Sequence, residues 1–133
     1  MSTPNGGHTV TLGGEEIAIK LPPSPAMRLD IFYAAGTNVD RAACAALGAC
    51  WHGEGRPPAR YTRYQHKPLD YGGAVLDGLL ARGLPYREIL AAAGEVFALV
   101  AGSVRDLVGE LTTPDEVEAV EDFTGAPAAP GNG

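Results

Sequence analysis

The stretch Tyr71–Leu111, YGGAVLDGLLARGLPYREILAAAGEVFALVAGSVRDLVGEL, decides the fold. It reads as two helices separated by the break Gly83-Leu84-Pro85. The first is expected from about Leu69 to Arg82, with Val75, Leu76, Leu79 and Leu80 as its apolar stripe. Gly83 suits the left-handed residue that ends a helix, and Leu84 can supply the apolar contact that accompanies such a cap. Pro85 opens the second helix, because proline at the first helical position gives up only a donor that would be unpaired anyway. Its stripe is Ile89, Leu90, Ala93, Val96, Phe97, Val100, Val104, Leu107, Val108 and Leu111, spaced by threes and fours. Gly94, Gly102 and Gly109 each cost up to about 1 kcal/mol relative to alanine, so a bend is expected near Gly102-Ser103. This stretch is helix packing surface without a catalytic arrangement, which points to binding or assembly.

Working towards the N-terminus, His8 to Lys20 alternates apolar and polar residues around Gly13-Gly14. That is the signature of a β-hairpin. Val10 and Leu12 share a face of one strand; Ile17, Ile19 and Leu21 share a face of the other. An isolated hairpin is marginal in water, so this face must pack on helices or on another chain. Pro22-Pro23 ends the strand. Ser24 then caps a helix from Pro25 to about Ala35 that buries Met27, Ile31 and Phe32, or Leu29 and Phe32, and stops at Gly36. A second helix is expected from the cap Thr37–Asp40, carrying Val39, Ala43, Ala46, Leu47 and Cys50 inward and ending near Trp51. Its small residues permit close backbone approach.

Residues 52–68 have no periodicity. A loop of that length in one domain is functional or mobile. It holds Arg56, Arg60, Arg63 and Lys67 against Glu54, interleaved with Tyr61 and Tyr64. Beyond Leu111, Thr113, Pro114 and Glu116 form a strong helix start. A short acidic helix to about Phe123 is expected, with Asp115, Glu116, Glu118, Glu121 and Asp122. The chain therefore divides into a disordered start (1–7), one mainly α domain (8–123) and a disordered tail (124–133). The domain holds four to five helices, an N-terminal hairpin (8–21) and a basic loop (52–68). Its expected core includes Ile31, Phe32, Leu47, Val75, Leu79, Ile89, Val96, Phe97, Val100 and Val104.

At 133 residues and 45% hydrophobic content, the chain can bury one core. The net charge of −6 argues against a general nucleic-acid binder. The N-terminus MSTPNGGHTV lacks the basic and apolar regions of a secretory signal. No apolar run approaches the roughly 20 residues that span a bilayer. Neither nucleic acid nor membrane is an expected partner, and the default compartment is the cytoplasm.

Several residues invite a chemical reading. Cys44 and Cys50 lie about 9 Å apart along one helix, too far for a disulfide, and read as reduced core residues. With His52 and His66 they lack the paired spacing of a zinc site. They also lack any motif of a cysteine nucleophile activated by histidine. Gly13-Gly14 and Tyr71-Gly72-Gly73 do not have the spacing of a phosphate loop. The acids of 115–122 read as solvated surface. No cofactor or metal is expected. The segment RPPARYTRYQHK could stack bases or grip phosphate, but an acidic protein favours its pairing with acidic protein surface, in this chain or a neighbour.

The order of these segments is familiar. TVTLGGEEIAIKLPPS opens the chain, and an alanine-rich helix closes in ALGACW. A loop, YGGAVLDGLLARGLPYREIL and a terminal VEDFTG follow. This layout resembles the tail assembly chaperones of tailed bacteriophages and prophages. The resemblance implies a mostly helical, non-enzymatic protein of the host bacterial cytoplasm. Such a protein coats the tape measure protein, helps bring in tail tube subunits and is absent from the finished virion. Some family members also have a longer form made by translational frameshifting. Partner binding is expected at Ile17 and Ile19 on the hairpin and at Val96, Phe97, Val100 and Val104 on the long helix. Arg60 and Arg63 of the basic loop are added for charge. Small-residue helix faces also allow self-association. The alternatives are a structural component of the tail or head–tail connector, with the hairpin donating a strand, and an enzyme using Cys44, Cys50, His52 or His66.

Overall fold

The hairpin forms where the alternation places it. Strand β1, His8–Leu12, pairs antiparallel with β2, Glu15–Ile19, so that Val10 faces Ile17 and Leu12 faces Glu15. Gly13 and Gly14 both take positive φ, 62° and 81°, as the tight turn between right-twisted strands requires. Val10, Leu12, Ile17 and Ile19 are all buried. These coordinates come from a computed structural model that describes residues 8–111, with side chains described as far as 108. The expected acidic helix, 113–123, and the expected disordered ends, 1–7 and 124–133, lie outside the described residues.

Four helices follow. Helix α1 spans Pro25–Ala34 and α2 spans Val39–Cys50. Helix α3 spans Pro68–Ala81 and α4 spans Tyr86–Leu111. The Ser24 hydroxyl caps α1 by accepting from the Met27 N–H at 3.2 Å. The cap of α2 is Asn38 rather than Thr37: its Oδ1 accepts from the Arg41 N–H at 3.0 Å. Val39, expected inside, is 58% exposed in this first turn. Helix α3 ends as expected at Gly83, with φ 86°. The Leu84 N–H reaches the Leu79 carbonyl and the Gly83 N–H reaches the Leu80 carbonyl, the bonding pattern of a glycine-terminated helix. Leu80, assigned to the inner stripe, is exposed.

Helix α2 is the centre of the fold. Every residue from Ala42 to Gly48 is buried, because α3 and α4 both pack on it. Only small side chains allow this. A Cβ on Gly72 of α3 would lie 1.8 Å from the Arg41 carbonyl oxygen. A Cβ on Gly48 of α2 would meet Val75 at 2.7 Å and Tyr71 at 2.8 Å. The two backbones approach at Gly72, and Gly48 makes room for the Val75 and Tyr71 side chains.

One element has no periodic signature in the sequence. Trp51–His52 forms a short strand, β3, whose residues pair with Ile19 and Ala18 of β2, completing a three-stranded sheet in the order β1-β2-β3. The chain passes from α2 into the sheet with no intervening loop, and the Lys20 N–H donates to the Cys50 carbonyl at 2.8 Å.

Helix α4 lies against α2, α1 and β1. Ile89, Ala93, Val96, Val100 and Val104 of its stripe are buried. Beyond Val104 the stripe leaves the core: Leu107 is half-buried and Val108 is 47% exposed. Phe32 and Phe97 are not enclosed. They are half-buried and stack on one another at the edge of the core, with centroids 6.2 Å apart and planes 10° apart.

Candidate functional site

The stripe residues expected to bind a partner are consumed by the chain's own core. Ile17, Ile19, Val96, Val100 and Val104 are buried in the hydrophobic core. Meeting a partner through them would require the core to open. Phe97 retains an exposed edge but is committed to its stack on Phe32.

The basic loop has the opposite fate. Residues 53–67, although without regular structure, are built onto the fold. Tyr61 is buried and packs edge-on against Tyr71 of α3, with centroids 4.9 Å apart. The His66 ring stacks on Tyr61 and meets Tyr71 edge-on at 5.2 Å. The Trp51 indole N–H donates to the Glu54 carbonyl at 3.0 Å. Arg56 turns inward and donates to the carbonyls of Gly48 and Trp51, closing the end of α2. Arg82 donates to the Gly55 carbonyl. Arg56, one of the loop's four cations, is therefore structural.

The others are exposed. Arg63 Nε donates to Asp30 Oδ2 of α1 at 2.7 Å, and this bond raises the already high pKa of the guanidinium. Arg60 and Lys67 are exposed. Tyr64 is 94% exposed and Tyr33 on α1 is 67% exposed. Two adjoining grooves run along this face. One lies between the loop and α3, lined by Arg63, Tyr64, His66 and Lys67. The other lies between α1 and α3, lined by Tyr33, Lys67 and Leu69. Asp70 borders both.

Arg63 thus sits with Tyr64, Lys67 and Tyr33 on an exposed aromatic face that also carries Asp30 and Asp70, while Arg60 is exposed but lines neither groove. Tyr33 and Leu69 belong to the same face, but the sequence did not point to them. The available signal was Tyr33 itself, a large aromatic left outside both apolar stripes of its helix.

No protein-family model, no curated protein and no solved structure matches this chain.

The residues of the metal and thiol readings have other surroundings. Burial pushes the Cys44 thiol up to about 11, with Asp40 adding to it. Burial pushes Cys50 up to about 12 against a small opposing effect of Arg28. Both thiols are free and protonated at neutral pH, and a protonated thiol is a poor nucleophile and a poor ligand. His52 is exposed on β3. His66 Nδ1 lies 3.3 Å from the Thr62 N–H within its aromatic stack. Among the described residues no group of three or more His, Cys, Asp and Glu is gathered to hold a metal ion. Among them, too, no helix is long and apolar enough to cross a membrane. Burial also raises the pKa of Tyr61 and Tyr71; in Tyr71 the nearby Arg56 and Arg60 partly oppose it.

Proposed function

We propose that this protein is a non-enzymatic assembly chaperone of a phage or prophage tail. In this reading it binds the tape measure protein and helps recruit tail tube subunits in the host cytoplasm. The order of hairpin, alanine-rich helix, loop and paired helices supports the reading, as does the character of the exposed face. The single observation that carries it is the exposed Tyr64 and Lys67 of a loop anchored by Tyr61 and Arg56, beside Tyr33 of α1. Exposed tyrosine and arginine are the residue types that concentrate binding energy at protein interfaces. A loop already ordered before binding loses less entropy when it docks.

In this reading the docking site is the exposed aromatic face of the loop and α1. The test is affinity purification of the tagged full chain from cells producing the particles. Recovery of the tape measure or tube protein, reduced by Tyr64→Ala with Lys67→Ala, is the expected result. Recovery of neither protein with the unsubstituted chain refutes the proposal.

A further inference from the structure

The three-stranded sheet has one closed edge and one open edge. At the end of β2 the Lys20 N–H bonds to the Cys50 carbonyl, and Ala18 pairs with His52 of β3. Backbone groups alternate in direction along an antiparallel strand. Glu16, Ala18 and Lys20 therefore turn towards β3, and Glu15, Ile17 and Ile19 turn towards β1. Leu12, Val10 and His8, their register partners, complete that ladder. The N–H and C=O groups of Thr9 and Thr11 are left pointing away from the sheet, and no described residue bonds to them. At the other edge Trp51 is turned outward in the same way, but Arg56 donates to its carbonyl.

Open edges are commonly blunted by lysine, proline or a bulge. Strand β1, HTVTL, has none of these, and its register with β2 is unbroken. Thr9 and Thr11 are exposed, while Val10 and Leu12 hold the strand to the core. An extended segment laid beside β1 would find a partner for each outward backbone group of the two threonines.

Charge selects the occupant. Helix α4 lies against β1 and places a carboxylate at each of its ends. Glu88 Oε2 accepts from the Gly13 N–H at 2.6 Å, and Glu95 Oε2 lies 3.1 Å from His8 Nε2. Glu15 and Glu16 stand in register with Leu12 and Thr11. Lys20 and Arg87, the bases next to these acids in sequence, do not balance the four carboxylates. An acidic border favours a segment carrying lysine or arginine. It disfavours a second copy of this chain. Pairing two β1 strands with Thr9 opposite Thr11 sets His8 opposite Leu12, which brings Glu95 of one copy towards Glu88 of the other.

We propose that the free edge of β1 at Thr9 and Thr11 takes up an extended, basic segment of another protein as a fourth strand. The inference is independent of the tail-assembly reading, whose docking face lies on the loop and α1.

The test titrates the full chain with two end-blocked synthetic peptides, the basic TKVKVKT and the acidic TEVEVET. Affinity is read by fluorescence anisotropy, and the amide signals of the protein are followed by NMR. The basic peptide should bind at least about tenfold more tightly than the acidic one, with the largest shifts at the Thr9 and Thr11 amides. T11P removes an outward N–H and spares the ladder to β2, a position that proline tolerates on an edge strand. It should weaken binding at least about tenfold, the cost of one unmet backbone group. Circular dichroism shows whether T11P is folded, and T9P replaces it if it is not. E88Q with E95Q keeps both hydrogen-bond acceptors and should remove most of the preference for the basic peptide. Binding of neither peptide, equal binding of both, or binding unchanged by the proline variant would each overturn the proposal. Self-association of the chain that the proline variant abolishes would overturn it too, by making a second copy the occupant.

Discussion

Gly72 of α3 lies against the backbone carbonyl of Arg41 in α2, where a Cβ would come within 1.8 Å of the oxygen. No side-chain rotamer change can relieve such a contact. The two helices would have to separate, and their separation would loosen the packing of Tyr71, Val75 and Leu79 against the centre of the fold.

Gly72→Ala is therefore expected to destabilise the domain by about 2–4 kcal/mol, at or above the upper range of ordinary overpacking. Gly94 on α4 is the control, with nothing within 4 Å of its Cβ direction. There, alanine should stabilise the helix by up to about 1 kcal/mol. Urea unfolding of both variants checks the difference in sign.

The Phe32–Phe97 stack joins α1 to α4 at the edge of the core. Phe97→Ala should cost about 1–3 kcal/mol, below the value for a fully buried phenylalanine because an edge stays exposed. A double-mutant cycle with Phe32→Ala should give a coupling of about 0.5–1.5 kcal/mol, as for other aromatic pairs. Chemical denaturation of the single and double variants measures it.

The two cysteines make stability depend on alkaline pH. Their folded pKa values, about 11 and about 12, lie above the unfolded value of 9.0. The unfolded state thus loses its thiol protons first as pH rises. The stabilising contribution is complete below about pH 9 and is lost as pH climbs through the folded values. The raised Tyr61 and Tyr71 act in the same direction. Unfolding free energy should therefore fall between about pH 9 and pH 11. Thiol-labelling rates at about pH 8 should be slow in the native protein and rapid in urea.

The Arg63–Asp30 bond is solvent-accessible. Asp30→Ala should leave the melting temperature close to that of the unsubstituted chain, because exposed ion pairs contribute little to global stability. The loop should nevertheless be held less firmly to α1, so limited trypsin cleavage after Arg60 and Arg63 should accelerate. Unchanged cleavage would mean that the loop is held by its other anchors, Tyr61 and Arg56 among them, without this bond.

Much of this architecture was legible because local chemistry dictates it. Gly13-Gly14 specified the hairpin turn, Ser24-Pro25 the start of α1, and Gly83 the end of α3. The small residues of α2 signalled the close approach that Gly48 and Gly72 make. The β3 strand was not legible, since Trp51–His52 is too short to display a period and its pairing with β2 is a long-range event. Periodicity also showed that Ile17, Ile19, Val96, Val100 and Val104 each belong to an apolar face. It could not say whether that face meets the chain's own core or another protein. The same limit hid the exposed face, which is assembled from α1, the loop and α3 and has no contiguous signature.

The most direct test of the assembly reading is quantitative peptide mass spectrometry of purified particles beside the soluble lysate that produced them. The account predicts the chain in soluble complexes containing the tape measure protein and its depletion from finished particles. A constant number of copies in every finished particle would contradict it and make the chain a structural component of the virion.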